Sequence, residues 1–198
     1  MLIVLTGIDG SGKTTAAHAL VDSARAEGRS ALLLSNHAAR RRMSLLSARF
    51  GWKVAPRVSD FVETGVRLFN VLVNHVRARQ FDGLVVMDRH LHCQLALRQA
   101  SGLRRGPLLP WLLKKLPSPD LHVHFDVDPR VAHHRVMARG TDKETPADLQ
   151  AFRSAYHSLP EFDGFVVVHA AETPERVLAE LNRLVSATRK EPAVPHPN

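Results

Sequence analysis

The chain has 198 residues, of which 44% are hydrophobic and 23% are charged, and its formal net charge is +8. This length predicts one domain with a single core, and the composition is that of an ordinary globular protein. No apolar run reaches the roughly 18 to 20 residues that a membrane-spanning helix needs, so we expect no membrane association. The excess of positive charge favours a polyanionic partner, which is either a nucleic acid or a phosphorylated small molecule.

Cysteine usage and the amino-terminal residues bear on the compartment. Cys93 is the only cysteine, which excludes an internal disulfide and fits a reducing compartment. The apolar residues 1–6 run directly into a glycine-rich segment, and they lack the basic region and cleavage site of a signal peptide. We therefore expect a first β-strand at this position and a cytoplasmic protein.

Strand-length apolar runs alternate with segments of helical periodicity along the chain. Parallel strands covered by helices on both faces are apolar throughout, so the pattern predicts a three-layer α/β/α fold with a five-stranded parallel sheet. The predicted strands are 2–5, 31–34, 84–87, 121–127 and 165–168. The predicted helices are 13–27, 57–80, 91–100, 108–116, 129–139, 147–158 and 174–188.

Two polar segments interrupt or follow these elements. Residues 139–147 contain glycine and proline between two helical patterns, which predicts a mobile lid. Residues 190–198 contain three prolines and are expected to form a flexible tail. The sequence therefore predicts one domain over residues 1–189.

A phosphate-binding loop follows the first strand. Residues 7–14, Gly-Ile-Asp-Gly-Ser-Gly-Lys-Thr, match G-x-x-x-x-G-K-[ST] between a predicted strand and a predicted helix. Such a loop presents inward-facing N–H groups to phosphate, its lysine bridges the β- and γ-phosphates, and its hydroxyl ligates Mg²⁺. The predicted ATP-binding residues here are Gly7, Gly10, Ser11, Gly12, Lys13, Thr14 and Thr15.

This loop also occurs in GTPases, motor ATPases and transporters, so it does not by itself specify a kinase. The chain has no Asn-Lys-x-Asp guanine motif, and it is too short to carry the additional elements of a motor or a transporter. Further residues are needed to define the reaction.

The third predicted strand ends in Asp88-Arg89-His90. Open α/β sheets bind their ligands at the carboxyl ends of the strands. Asp88 is therefore a candidate Mg²⁺ ligand together with Thr14, and Arg89 is a candidate phosphate clamp.

With this triplet the sequence resembles the thymidylate kinases. The similarity includes Asp9 in the phosphate loop, Arg67 on the helix before the triplet, the segments 119–121 and 125–129, and 152–156 after the lid. It implies an ATP- and Mg²⁺-dependent phosphotransferase that acts on dTMP or a related nucleoside monophosphate. The resemblance further implies a homodimer and an adenine contact at Ala171. The catalytic residues that it implies are Lys13, Asp9, Asp88, Arg89 and the lid arginines Arg135 and Arg139.

The acceptor side departs from the family pattern. Asn36 stands where the Arg-Glu-Pro-Gly stretch of the family should begin, although one of Arg40 to Arg42 is available as a replacement. Glu63 stands where an aromatic residue stacks on thymine, and Leu97 and Arg98 replace a Tyr-Gln pair. A changed acceptor, such as a nucleoside, a sugar or an antibiotic hydroxyl, is therefore an alternative. The predicted acceptor-binding residues are Asp9, Asn36, Glu63, Arg67, Arg89, His90, Leu97 and Arg98.

Two rival functions are a nucleic-acid-binding ATPase and a pseudokinase. The net charge and Arg40 to Arg42 allow a nucleic-acid-binding ATPase, although such arginine clusters are usually solvated helix faces. A pseudokinase is disfavoured because the phosphate-loop and Asp-Arg residues are intact.

None of the twelve histidines lies in a recognisable zinc-binding spacing. We expect them to be surface or satisfied residues, with His90 as the exception.

Overall fold

The computed structural model describes residues 1–36, 56–140 and 144–190. Within them lies a five-stranded, all-parallel sheet in the order β2-β3-β1-β4-β5. The strands are β1 (Leu2–Gly7), β2 (Ala31–Ser35), β3 (Leu84–Asp88), β4 (Leu121–Asp126) and β5 (Val166–His169). Every predicted strand is found, with its bounds within two residues, and the predicted fold class is confirmed.

Seven α-helices connect or follow the strands in the described residues. Local signals fix several of their ends. Asp128 accepts a hydrogen bond from the backbone N–H of Arg130 at 2.7 Å, and Thr145 and Asp148 cap each other's backbone N–H groups. The helices are α1 (Lys13–Ala26), α2 (Pro56–Gln80), α3 (Leu91–Ala100), α4 (Leu108–Lys115), α5 (Pro129–Arg139), α6 (Pro146–His157) and α7 (Pro174–Lys190). None of the described helices is long and apolar enough to cross a bilayer.

The core lies between the sheet and its helices. Helix α1 packs against α7 and the central strands, while α3 packs against α2 and α6. Side chains alternate along each strand, so Ile3 and Leu5 belong to the large apolar cluster, whereas Val4 packs in a smaller one. The alternation places Thr6, His122 and His124 on a single face of the sheet, which α3 and α6 cover.

The strand register brings the carboxyl ends of the strands to one edge. Leu5 of β1 lies beside Asp88 of β3, and Gly7 lies beside Phe125 of β4. The phosphate loop, Asp88 and the end of β4 therefore meet at this edge. Parts of the predicted lid, residues 141–143, lie outside the described residues. So do Arg40 to Arg42 and nearly all of the predicted tail.

Candidate active site

The phosphate loop is held close to the sheet and to α5. Gly7 has a φ of 144°, and a Cβ there would lie 2.7 Å from the carbonyl oxygen of Phe125. Gly10, at a φ of 80°, lies against the backbone of Ala132, where a Cβ would also collide. Gly12 precedes α1 without a side-chain cap, so the first N–H groups of α1 are available to an anion.

Lys13 lies buried inside this loop. Its Nζ donates to the carbonyl oxygen of Ile8 at 2.8 Å and is 3.7 Å from a carboxylate oxygen of Asp9. Burial lowers the pKa of Lys13, and the charge of Arg89 lowers it further. A bound phosphate would offset both effects because it adds negative charge beside the ammonium group.

Thr14 and Asp88 form a direct contact between α1 and β3. The Thr14 hydroxyl donates to Asp88 Oδ2 at 2.7 Å. Asp88 is 1% exposed, and its other oxygen, Oδ1, has no hydrogen-bond partner among the described residues. A buried carboxylate oxygen without a partner beside a hydroxyl is a donor set that suits Mg²⁺. The two predicted metal ligands therefore lie together.

Arg89 follows Asp88 in an unusual backbone conformation. Its φ is 73°, which makes it the one non-glycine residue of the described ranges with a positive φ. Its guanidinium pairs with Asp9. Burial alone would raise the pKa of Asp9, but the charges of Arg89 and Lys13 hold it well below its ordinary value. The same pair keeps the pKa of Arg89 above its ordinary value in spite of burial.

Asn36 lies behind Arg89 and is completely buried. Its side-chain N–H donates to the carbonyl oxygen of Arg89 at 2.6 Å, and its backbone N–H donates to that of Asp88 at 2.9 Å. Its side-chain oxygen accepts from Asn74 of α2 at 2.9 Å. Asn36, predicted as an acceptor contact, is thus bound to the backbone of the Asp-Arg segment.

The predicted acceptor side centres on Arg67 of α2, which is 3% exposed. Its Nε donates to the side-chain oxygen of Gln94 at 3.1 Å, and Gln94 donates onward to Asp60 at 3.2 Å. Asp60 in turn pairs with Arg98 at 3.3 Å. We call Arg67, Gln94, Asp60 and Arg98 the α2–α3 polar network. One terminal nitrogen of Arg67 has no hydrogen-bond partner among the described residues.

Other residues surround this network. Glu63 is 4% exposed, and its charge acts to raise the pKa of Arg67, although burial lowers that pKa overall. Tyr156 of α6 lies beside Cys93 of α3, and burial followed by the effect of Cys93 raises the pKa of the phenol well above its ordinary value. Leu97, a predicted acceptor residue, is half-buried and packs against the large apolar cluster.

The predicted lid arginines lie on α5. Arg135 donates to the carbonyl oxygen of Ala170 at 2.9 Å, and the N–H of Ala170 donates to the carbonyl oxygen of Asp126 at 2.8 Å. Ala171 is therefore held near Arg135 and the end of β4, and it is exposed. Arg139 is also exposed, and its Nε donates to the carbonyl oxygen of Arg135 at 3.3 Å.

Five of the described histidines are buried. His90 contacts His75 of α2 through its Nε2 at 3.0 Å and His92 of α3 through its Nδ1 at 3.3 Å. Both ring nitrogens of His90 therefore face other histidines. Thr6 of β1 lies between two more rings, at 3.2 Å from His122 and 3.3 Å from His124 of β4.

Sequence reasoning missed Asn74, Gln94 and Asp60. Gln94 precedes Arg98 by four residues, so both lie on one face of α3, and that spacing was a usable signal. Asn74 and Asp60 carry no comparable local pattern for these contacts, because Asn36 and Gln94, which they bond here, are 38 and 34 residues away along the chain.

The fold and the arrangement of the phosphate loop with Asp88 define a P-loop kinase, which is a phosphotransferase. A family model described as thymidylate kinase matches residues 69–181. The chain therefore belongs to the thymidylate kinase family, and its relatives support a nucleoside monophosphate kinase.

Individual relatives agree with this assignment. The chain is 28% identical over 198 residues to a probable thymidylate kinase of Archaeoglobus fulgidus, covering 94% of this chain and 95% of the relative. It is 27% identical over 195 residues to a thymidylate kinase of Xanthomonas oryzae pv. oryzae, covering 94% of this chain and 83% of the relative. It is 28% identical over 197 residues to a probable thymidylate kinase of Pyrococcus horikoshii, covering 92% of this chain and 94% of the relative.

Proposed function

We propose that the chain transfers the γ-phosphoryl group of ATP, with Mg²⁺, to dTMP or a closely related deoxynucleoside monophosphate. The observation that carries this proposal is the contact between Thr14 and Asp88, with Asp88 Oδ1 free of protein partners in the described residues. Arg89 extends from the same strand end toward Asp9 of the phosphate loop. These residues lie at one edge of the sheet, which supports their proposed roles in binding nucleotide, metal and acceptor.

On the ATP side, the loop N–H groups and Lys13 would bind the phosphates. Thr14 and Asp88 would hold Mg²⁺, which neutralises charge on the transferring phosphates when it is bound. Lys13 exchanges its bond to the Ile8 carbonyl for one to a phosphate oxygen. Its burial strengthens that interaction because the surrounding dielectric is low.

On the acceptor side, Arg89 and Arg67 supply positive charge for the acceptor phosphate and base. Arg89 is fixed at both its backbone and its guanidinium, so it needs little reorganisation to act as a clamp. A phosphate oxygen of the acceptor attacks the γ-phosphorus, the bond between that phosphorus and the bridging oxygen breaks, and ADP leaves. Arg135 and Arg139 of α5 would add charge when the lid, at about residues 139–147, closes.

A second candidate, a changed acceptor, is favoured by the α2–α3 polar network. Asp60 of this network is linked to Arg67 through Gln94, and the neighbouring carboxylate of Glu63 stands where the family pattern has an aromatic residue. A carboxylate accepts hydrogen bonds from amine or hydroxyl groups and cannot stack on a base. An acceptor with such groups, whether nucleoside, sugar or antibiotic, would use the same ATP side. The nucleic-acid-binding alternative has no comparable support, because Arg40 to Arg42 lie outside the described residues.

We also propose a homodimer through α2. This helix exposes a stripe of apolar residues at helical spacing, and Phe61 and Phe69 are 78% and 68% exposed. Gly65 lies within the stripe, and a Cβ there would meet nothing within 4 Å, so another helix can approach closely. A second copy of the chain is the proposed occupant because the sequence resembles a family of dimers. The remaining members of the stripe are Val58, Val62, Leu72, Val73 and Val76.

The organisation and location follow from the sequence. We propose one kinase domain over residues 1–189, while the predicted tail at 190–198 lies almost entirely outside the described residues. A cytoplasmic location is supported by the single, free Cys93.

The decisive experiment measures ADP release with ATP and Mg²⁺ against nucleoside monophosphates, nucleosides and sugars, with Lys13→Ala as the blank. Turnover of dTMP well above that of the other acceptors supports the first proposal. Turnover of a nucleoside or sugar without turnover of any nucleotide supports the changed acceptor. Stimulation of hydrolysis by DNA or RNA alone would overturn both.

A further inference from the structure

The end of β4 carries a polar cluster that phosphoryl transfer does not use. Alternation along the strand places His124 and Asp126 on the same face. The Nδ1 of His124 lies 3.3 Å from the Thr6 hydroxyl. His124 is completely buried, and its Nε2 has no hydrogen-bond partner among the described residues. A buried imidazole nitrogen without a partner is costly unless something else binds it.

Asp126 and His157 provide two further donor atoms. The Nε2 of His157, in the last turn of α6, lies 3.2 Å from Asp126 Oδ1. One donor atom from each of His124, Asp126 and His157 lies within 4.8 Å of the other two. Donors of a tetrahedral zinc site lie roughly 3.3 to 3.6 Å apart, because each is about 2.0 to 2.2 Å from the ion. Small side-chain rotations therefore suffice to bring the three atoms onto one ion.

Arg153 is the second partner of Asp126. Its Nε and a terminal nitrogen each donate to a different oxygen of that carboxylate at 2.6 Å. A carboxylate has about four acceptor positions, so an ion can replace the His157 contact while both Arg153 bonds remain. Ligating carboxylates in metal sites are commonly oriented by such outer hydrogen bonds. The charge of Arg153 weakens the binding of a cation to the Asp126 carboxylate. The cluster therefore favours ions that bind nitrogen donors as well as oxygen donors.

The cluster is accessible from solvent. A cavity of about 290 Å³ is lined by Arg153, His157 and their neighbours on α6. His157 is 41% exposed, whereas Asp126 is 10% exposed at its side chain. An ion can therefore enter past His157, and water from the cavity can complete its coordination.

We propose that His124, Asp126 and His157 form a binding site for one Zn²⁺ ion, with water as the fourth ligand. Two imidazoles and one carboxylate suit Zn²⁺ and its neighbours Co²⁺ and Ni²⁺ better than Mg²⁺. The site differs from the Thr14–Asp88 position in both residues and donor type. A bound ion links β4 to α6, which is the helix that follows the predicted lid, and so restrains the carboxyl end of α6.

The test uses the full chain after treatment with a chelator, without nucleotide, and in excess Mg²⁺. Equilibrium dialysis with Zn²⁺ measures stoichiometry and affinity, and Co²⁺ substitution reports the geometry through its visible absorption. We expect one equivalent of Zn²⁺ per chain, an intense tetrahedral Co²⁺ spectrum, and at least a tenfold weaker affinity in His157→Gln. His157 is partly exposed, so this variant should fold.

His134→Gln is the matched control, because His134 is an exposed histidine on α5. It should retain one equivalent of Zn²⁺ and the Co²⁺ spectrum. The proposal fails if the wild-type chain binds no stoichiometric Zn²⁺, if His157→Gln binds as tightly as wild type, or if His134→Gln loses binding to the same extent.

Discussion

Asn36 donates a hydrogen bond of 2.6 Å to the carbonyl oxygen of Arg89, the residue with the left-handed backbone. A positive φ is unfavourable for a side chain of this size, so the surrounding contacts must hold it. We therefore expect Asn36 to position Arg89 through the backbone, while its predicted contact with the acceptor stays a prediction.

We predict that Asn36→Ala lowers kcat by about tenfold to hundredfold, because a small displacement of a phosphate clamp is costly. The free energy of unfolding should fall by about 1–3 kcal/mol, because the side chain of Asn74 loses its buried partner. Steady-state kinetics and urea unfolding measure the two effects. Asn182→Ala, whose side chain bonds Ser23 far from the site, should leave kcat unchanged. An unchanged kcat in Asn36→Ala would show that Arg89 holds its conformation without Asn36.

Asp88→Asn tests the proposed metal position. The amide keeps the shape of the carboxylate but removes its charge. We predict a loss of kcat of about a hundredfold or more, on the scale of removing one strong electrostatic contact from a transition state. The Mg²⁺ concentration needed for half-maximal rate should also rise. Asp120→Asn, at the opposite edge of the sheet, is the matched control because the side chain of Asp120 accepts from the N–H of Leu2, away from the phosphate loop. A normal Mg²⁺ dependence in Asp88→Asn would contradict the assignment.

Gln94 connects Arg67 to Asp60, so its removal should affect acceptor binding and leave ATP binding intact. We expect Gln94→Ala to raise the KM of the acceptor by about tenfold, since a buried hydrogen bond to a charged group is lost. The KM of ATP should not change. Gln99→Ala on the same helix is the control, because Gln99 bonds Ser158 at the surface. Equal increases in both KM values would indicate general damage to α3.

The buried histidines predict acid sensitivity. Burial, reinforced by the charge of Arg105, lowers the pKa of His92 from 6.5 to about 3. His90 stacks on His92, and His122 meets it edge-on from β4, and both also have pKa values well below their ordinary value, chiefly through burial. Below pH 6.5 the unfolded chain binds protons that the folded chain does not, so the stability present at neutral pH is lost as the pH falls toward 3.

We expect His92 to contribute a loss of about 1.4 kcal/mol per pH unit between pH 6.5 and 3. The measurement is the free energy of urea unfolding from pH 7.5 to 4.5. His92→Phe should reduce the slope by about that amount, and the exposed His134→Gln should leave it near the wild-type value. A slope that is the same in wild type and His92→Phe would mean that His92 is protonated in the folded protein.

The proposed dimer makes a separate prediction. Phe69→Glu places a charge in the apolar stripe of α2, so the protein should become monomeric, with a mass near 22.0 kDa by light scattering. Trp111→Glu is the control because Trp111 is also exposed, at 56%, but lies on α4. The proposal fails if the wild-type protein is itself a monomer at micromolar concentration.

The fold was largely predictable because its signals are local. Strands buried on both faces are continuous apolar runs, and Leu84 to Met87 is such a run. The phosphate loop is recognisable from its glycines. Its position between a strand and a helix follows from the apolar run before it and the helical periodicity after it. These features need no knowledge of which residues meet in space.

The supporting residues were less predictable because their partners are distant in sequence. The side-chain contacts of Asn36 come from Arg89 and Asn74, 53 and 38 residues away, and its predicted contact with the acceptor stays a prediction. Glu63, predicted as an acceptor residue, is 4% exposed, and the acceptor assay tests its role. The histidine contacts link α2, α3 and β4, and no spacing in the sequence indicates them.

The burial of Cys93 has a practical consequence. It is 1% exposed, is the chain's single cysteine, and lies on α3 beside Tyr156 of α6. A thiol reagent should therefore react only with molecules in which these two helices have separated. The labelling rate of the unmodified protein then measures how often the acceptor side opens, and each candidate acceptor can be ranked by how far it slows that rate.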